Sequence, residues 1–126
     1  RGALLILPHP YHRWRHGVGR RLAASVESVD AVEVFNSRYI TGSANRKAAI
    51  IAKNLGKPGV AGSDAHNARY VGFGITYVTA EPDMPSILSA IREGRTMAGG
   101  KMTPLHTYTQ QSIKSVLRKI RRTVHR

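Results

Sequence analysis

A chain of 126 residues holds one modest domain, and 20 Lys and Arg against 7 Asp and Glu give it a formal charge of +13. That balance favours anionic partners such as phosphate esters or nucleic acid, although basic ends can equally be solvated surface or be neutralised by acidic parts of a longer protein. The absence of cysteine excludes a disulfide framework and a zinc-thiolate site, and no apolar run approaches the ~20 residues that span a bilayer.

The charge is unevenly placed. Five cations and no acid occupy the first 21 positions, and eight cations follow Glu93, the last acid. The chain opens on Arg1 and enters a core-type strand almost at once, so we expect a fragment, a processed product or a truncated form. No signal peptide is present in the sequence, which makes cytoplasmic the default expectation.

Residues 3 to 8, Ala-Leu-Leu-Ile-Leu-Pro, have the unbroken apolar character of a strand buried on both faces, as in parallel sheets covered by helices. Pro8 and Pro10 stop the ladder and fix the backbone on each side of His9. A histidine so restrained suits a ligand; standing alone it would read as a turn histidine capping a carbonyl. Next comes a loop dense in cations and aromatics, Tyr11 to Gly19. Arginine offers a planar fork that matches two phosphate oxygens, so His12, Arg13, Arg15 and His16 form a pool of substrate-phosphate contacts, with an exposed basic loop as the alternative.

A short helix is expected over 20–28, with Leu22, Ala23 and Val26 on one side. Asp30 to Asn36 is a second buried strand, rich in β-branched residues. Glu33 interrupts it, and an isolated buried carboxylate is costly unless paired or metal-bound, which makes Glu33 a supporting or ligand carboxylate. Asn36, Ser37 and Arg38 follow on the strand's rim, where Arg38 is a further candidate to neutralise charge on a substrate phosphate. Thr41-Gly42-Ser43 supplies capping chemistry for a helix from about Ala44 to Leu55, whose apolar face is Ala48, Ile51, Ala52 and Leu55, with Gly56 placed for a left-handed cap. Pro58 bars continuation.

The run Val60-Ala61-Gly62-Ser63-Asp64-Ala65-His66 is an apolar strand ending in an aspartate and a histidine two residues apart. Strand side chains alternate, so both would face one way if the strand continued. A carboxylate and an imidazole aimed at one point can seat a divalent metal or form a proton-transfer pair. Residues 67–74 read as a polar loop, Gly74 to Thr79 as another strand, and Pro82-Asp83-Met84-Pro85 as the opening of a helix packed through Ile87, Leu88 and Ile91. Residues 95–104 read as irregular. The tail from Gln110 carries Ile113, Val116, Leu117, Ile120 and Val124 at helical spacing opposite Lys114, Arg118, Lys119, Arg121 and Arg122, a basic amphipathic helix that could dock on the domain, bind nucleic acid or lie on an anionic membrane. Strand and helix alternating with short joints indicate an α/β domain over 1–104 built of parallel strands with right-handed crossovers, followed by a helical tail over 105–126. No Gly-x-Gly-x-x-Gly follows any strand, which argues against a dinucleotide binder.

Three stretches, Leu7-Pro8-His9-Pro10-Tyr11, Glu33-Val34-Phe35-Asn36-Ser37-Arg38 and Gly62-Ser63-Asp64-Ala65-His66, resemble in order and spacing the C-terminal half of the PHP (polymerase and histidinol phosphatase) family of metal-dependent phosphoesterases. The resemblance covers about residues 3 to 100. It implies part of a distorted (β/α) barrel whose carboxyl rim holds zinc, manganese or iron and hydrolyses phosphate esters. On that implication His9, Asp64 and His66 are metal ligands and catalytic. Glu33 and Asn36 match a Glu-x-x-Asn stretch beside the site, and His12 and Arg13 lie in the loop facing a phosphorylated substrate, a nucleotide or nucleic acid among the candidates. Family members begin with a His-x-His strand that this sequence lacks, so a missing N-terminal half, or self-association, is expected to complete the cluster; this chain alone could hold one metal more weakly through three ligands, or be inactive. A non-catalytic, basic anion- or nucleic-acid-binding module on the same fold is the alternative.

Overall fold

The computed structural model describes residues 2–11 and 28–107. The expected helix over 20–28, the cationic loop and the tail helix fall largely or wholly outside these residues. Within them lie five strands, β1 (Ile6–Leu7), β2 (Ala31–Asn36), β3 (Gly59–Gly62), β4 (Gly74–Val78) and β5 (Thr96–Gly100), and two α-helices, α1 (Gly42–Asn54) and α2 (Met84–Arg92). A 3-10 turn, Ala68–Tyr70, follows β3.

The first three strands form a parallel sheet in the order β1-β2-β3, with Leu7 opposite Val32 and Asn36 opposite Gly62. All three chains therefore leave the sheet at the same carboxyl edge. The parallel βα pattern expected from the sequence holds this far, and then gives way: β4 and β5 pair antiparallel with each other, Gly74 opposite Gly100 and Val78 opposite Thr96. The described residues form a mixed α/β unit rather than a closed barrel.

Helix α1 packs on β2 through Asn45, Ala48 and Ala52, which share one face at intervals of three and four. The small side chains let the helix lie close, and the core beneath is Val29, Val32 and Ala52, with Leu7 and Val34 against it. Thr41 stands at the cap position, but its hydroxyl meets that of Ser43 at 2.7 Å rather than a helix N–H. Gly56 adopts the expected left-handed conformation, φ +61°. Helix α2 is capped by Asp83, whose carboxylate accepts from the Ser86 amide at 2.8 Å.

Two expectations fail here for physical reasons. Residues 3 to 8 are not buried on both faces: β1 is two residues long, and Leu5 is 54% exposed. Among the described residues β1 has one strand neighbour, and the Leu5 amide goes to the Asp30 carboxylate at 2.8 Å instead of to a ladder. Residues 95–104, read as irregular for their glycines, contain β5. Those glycines permit close approach: a Cβ on Gly100 would strike the Phe73 carbonyl, and one on Gly74 would strike the Gly62 backbone.

That approach lays the antiparallel β4–β5 pair, whose strands are joined through α2, beside β3. Parallel strand β3 uses the Gly62 carbonyl toward β2, leaving Gly59 and Ala61 pointing outward. The Thr76 hydroxyl accepts from the Ala61 amide at 2.8 Å and donates to the Ala61 carbonyl at 3.3 Å, while the Thr96 hydroxyl donates to the Gly59 carbonyl at 2.8 Å. Two threonine side chains thus do for this edge what a sixth strand would do by backbone pairing. No helix among the described residues is long and apolar enough to cross a membrane.

Candidate functional site

The site begins with an irregularity in β2. Glu33 pairs with Val60, but Phe35 pairs with Ala61 and Asn36 with Gly62, so Val34 is an extra residue in the ladder. In a regular strand, residues three apart face opposite sides. The bulge reverses the alternation and brings Asn36 round to Glu33, whose two carboxylate oxygens each accept from Asn36 Nδ2 at 3.3 Å. Glu33 also accepts from the His9 backbone amide at 2.5 Å. The carboxylate is buried, 8% exposed, and is paired as the sequence reading required.

Burial pushes the Glu33 carboxyl above the usual range. The hydrogen bonds from the His9 amide and Asn36 and the field of His9 oppose that rise, and the nearby Asp64 charge adds to it. His9 and Asp64 therefore both act on Glu33 across the rim, from the strands on either side of it. Gly62 makes this possible. A Cβ there would overlap Glu33 Oε1 and lie 3.2 Å from Glu33 Cδ, so the carboxylate occupies the space a side chain would take.

His9 and Asp64 share a further property. Among the described residues they are the two non-glycine positions with positive φ, +24° and +46°. Each costs roughly 1–3 kcal/mol and persists only where the surroundings over-determine it, a condition found most often at functional sites. His9 Nδ1 and Asp64 Oδ2 are both buried.

His66 departs from this group. Strand β3 ends at Gly62, and the left-handed turn at Asp64 breaks the two-residue alternation that would have aligned the two side chains. The His66 ring folds back instead, Nδ1 lying 2.8 Å from the Asp64 backbone carbonyl and 3.6 Å from Asp64 Oδ1, with the side chain 37% exposed. Among the described residues, no three His, Asp or Glu side chains gather as a metal-holding group. An imidazole and a carboxylate are donor types that divalent ions accept, and at this rim His9 and Asp64 are two such groups without a complete set among the described residues.

Of the residues read as phosphate contacts, Arg38 lies buried in the turn after β2, and His12, Arg13, Arg15 and His16 lie outside the described residues. Sequence reading missed several supports. Buried Asn45 on α1 accepts from the Asn36 amide at 2.9 Å and donates to the Asn36 carbonyl at 3.2 Å, fixing the end of β2. Tyr39 accepts from the Tyr11 amide at 3.0 Å. Burial pushes its phenol up to about 12, with the Glu33 and Asp64 charges adding to the effect against the Tyr11 hydrogen bond. An asparagine on an otherwise alanine-lined helix face was the one available signal, and it pointed to a buried polar role.

Residues 42–96 match the family model described as PHP-associated. The match takes in α1, β3, Asp64, His66, β4 and α2, and bears out the likeness to the C-terminal region of PHP proteins. His9 and Glu33 lie outside it. No curated protein matches the chain.

Proposed function

We propose that this chain is the C-terminal portion of a PHP-type, metal-dependent phosphoesterase, and that His9 and Asp64 are donors to its metal centre. The observation that carries this reading is the pair of left-handed residues, His9 and Asp64, leaving parallel strands on either side of the buried Glu33. Residues 42–96 supply independent support through their PHP-associated match.

A divalent zinc, manganese or iron ion bound there would lower the pKa of a water and polarise phosphoryl oxygens. The chain's own contribution is orientation and charge. Glu33 holds the His9 backbone by its amide, and Asn36 holds Glu33. His66, a short reorientation from Asp64, is the proposed third donor in this chain, and upstream residues of the same protein or a second copy complete the set. Arg13, Arg15, Arg38, His12 and His16 would balance charge on the phosphate of a nucleotide, a nucleic-acid end or a small phosphomonoester.

The test is phosphatase and exonuclease turnover with added manganese or zinc, measured on this chain and on a longer one carrying upstream sequence. We expect turnover in the longer chain, falling about a hundredfold or more in Asp64→Ala and His9→Ala. Turnover unchanged by both substitutions contradicts the reading. The net charge of +13, with no complete metal-holding group among the described residues, favours one second reading: a non-catalytic module binding nucleic acid through its basic surface. Such binding would weaken steeply with salt and ignore chelators.

A further inference from the structure

The turn after β2 is polar yet buried: Asn36 and Ser37 are fully enclosed, and Tyr39 is 5% exposed. Buried polar groups must find partners, and here they find them on both rim arms. The Ser37 amide donates to the Gly62 carbonyl at 3.1 Å, and its hydroxyl donates to the Ser63 carbonyl at 2.7 Å. With its single proton so placed, Ser37 Oγ accepts from the Thr103 hydroxyl at 2.9 Å, and the Thr103 amide returns to the Ser37 carbonyl at 2.6 Å. Two residues on, the Tyr39 hydroxyl accepts from the Tyr11 amide at 3.0 Å. One short turn therefore grips the backbone immediately before Asp64 and two residues after His9.

We infer that residues 36–39 form a two-armed bracket in which Ser37 sets the position of Asp64 and Tyr39 that of His9, making both hydroxyls positioning residues for the site. The strained backbone at each arm supplies the reason. A left-handed aspartate or histidine relaxes toward ordinary φ unless neighbouring peptides are held, and the held peptides are Ser63–Asp64 and Pro10–Tyr11. The arms share the bracket but not their hydrogen bonds, so each can be released alone. The consequence for metal binding rests on the function proposed above; the mechanical claim does not.

The test uses the full 126-residue chain and two substitutions that delete one hydroxyl each, Tyr39→Phe and Ser37→Ala. Amide exchange followed by NMR should lose at least tenfold protection at Tyr11 in Tyr39→Phe, with the Asp64 amide shift unmoved. Ser37→Ala should shift the Asp64 amide nitrogen, which follows the released Ser63 carbonyl, and leave Tyr11 protected. Tyr70→Phe deletes another buried tyrosine hydroxyl, the acceptor of Thr107 at 3.1 Å, and should alter neither signal. Manganese affinity, read from paramagnetic broadening, should weaken about tenfold in each bracket variant and stay unchanged in Tyr70→Phe. Unaltered Tyr11 exchange in Tyr39→Phe, or both arms responding to either substitution, overturns the inference. If Tyr39→Phe does not fold, an unmoved Asp64 signal in Ser37→Ala overturns it. If the wild-type chain and the longer chain bind no manganese, the metal reading fails and the bracket is judged on exchange and shifts alone.

Discussion

Replacing Gly62 by alanine should damage this protein far more than a single methyl ordinarily does. The new Cβ would overlap Glu33 Oε1 and crowd Glu33 Cδ at 3.2 Å. Glu33 has little room to yield, being buried and held by the His9 amide and by Asn36. Overpacking costs about 1–3 kcal/mol. Displacing the carboxylate from one hydrogen bond to its charged oxygens adds about 1.5–3 kcal/mol, while the loss of glycine's unfolded-state freedom returns about 0.5–1 kcal/mol. The net loss is on the order of 3 kcal/mol, a large share of the ~5–15 kcal/mol that holds a domain together. Urea unfolding should show a midpoint lower by roughly 1–3 M at ordinary slopes. Gly99→Ala, where a Cβ meets nothing within 4 Å, is the control and should stay within ~0.5 kcal/mol of wild type. Glu33→Ala should relieve part of the Gly62→Ala defect, because the two changes meet at one contact. Equal unfolding midpoints for Gly62→Ala and Gly99→Ala would refute the packing argued here.

Thr76→Val removes the hydroxyl that serves both the amide and the carbonyl of Ala61, and should cost about 1–3 kcal/mol in urea unfolding; a loss within experimental error would mean the β3 edge is satisfied otherwise. Tyr39 governs alkaline stability. Burial pushes its folded phenol up to about 12 from the ordinary value of 10.0, so the unfolded chain ionises first, and stability present below pH 10 is lost as pH rises toward 12, by roughly 3 kcal/mol at most. Urea midpoints for wild type and Tyr39→Phe should therefore converge over that interval; a constant separation would contradict the assignment.

Much of the framework was legible in the sequence because it follows periodicity and punctuation. The β-branched run before Asn36, the Ala48 and Ala52 stripe of α1 closed by Gly56, and the Asp83-Met84-Pro85 opening of α2 each carry a local signal that tertiary packing did not override, whereas Leu55, read onto the same face of α1, is 41% exposed. Glu33 was legible for a different reason: a charge inside an apolar strand must be paired, although its partners, the His9 amide and Asn36, could not be named before the bulge at Val34 was known. That bulge is invisible in sequence, since it arises from pairing with β3. The same holds for the turn at Asp64, which sends His66 away from the direction that strand alternation gave it. β5 was missed because glycines that permit close approach of two backbones look, in one dimension, like glycines that loosen a loop. The edge of β3 is served by threonine hydroxyls, and no strand propensity reports on that.

The most direct test of the proposed centre is a manganese titration of the full chain followed by backbone NMR, in which broadening falls off steeply with distance from the bound ion. We expect the earliest losses together at His9 and Tyr11 and at Ser63 to His66, with signals on the outer face of α1 retained and the pattern abolished by Asp64→Ala. Broadening confined to one of the two arms, or scattered over the basic surface and indifferent to Asp64→Ala, would contradict a shared site for His9 and Asp64.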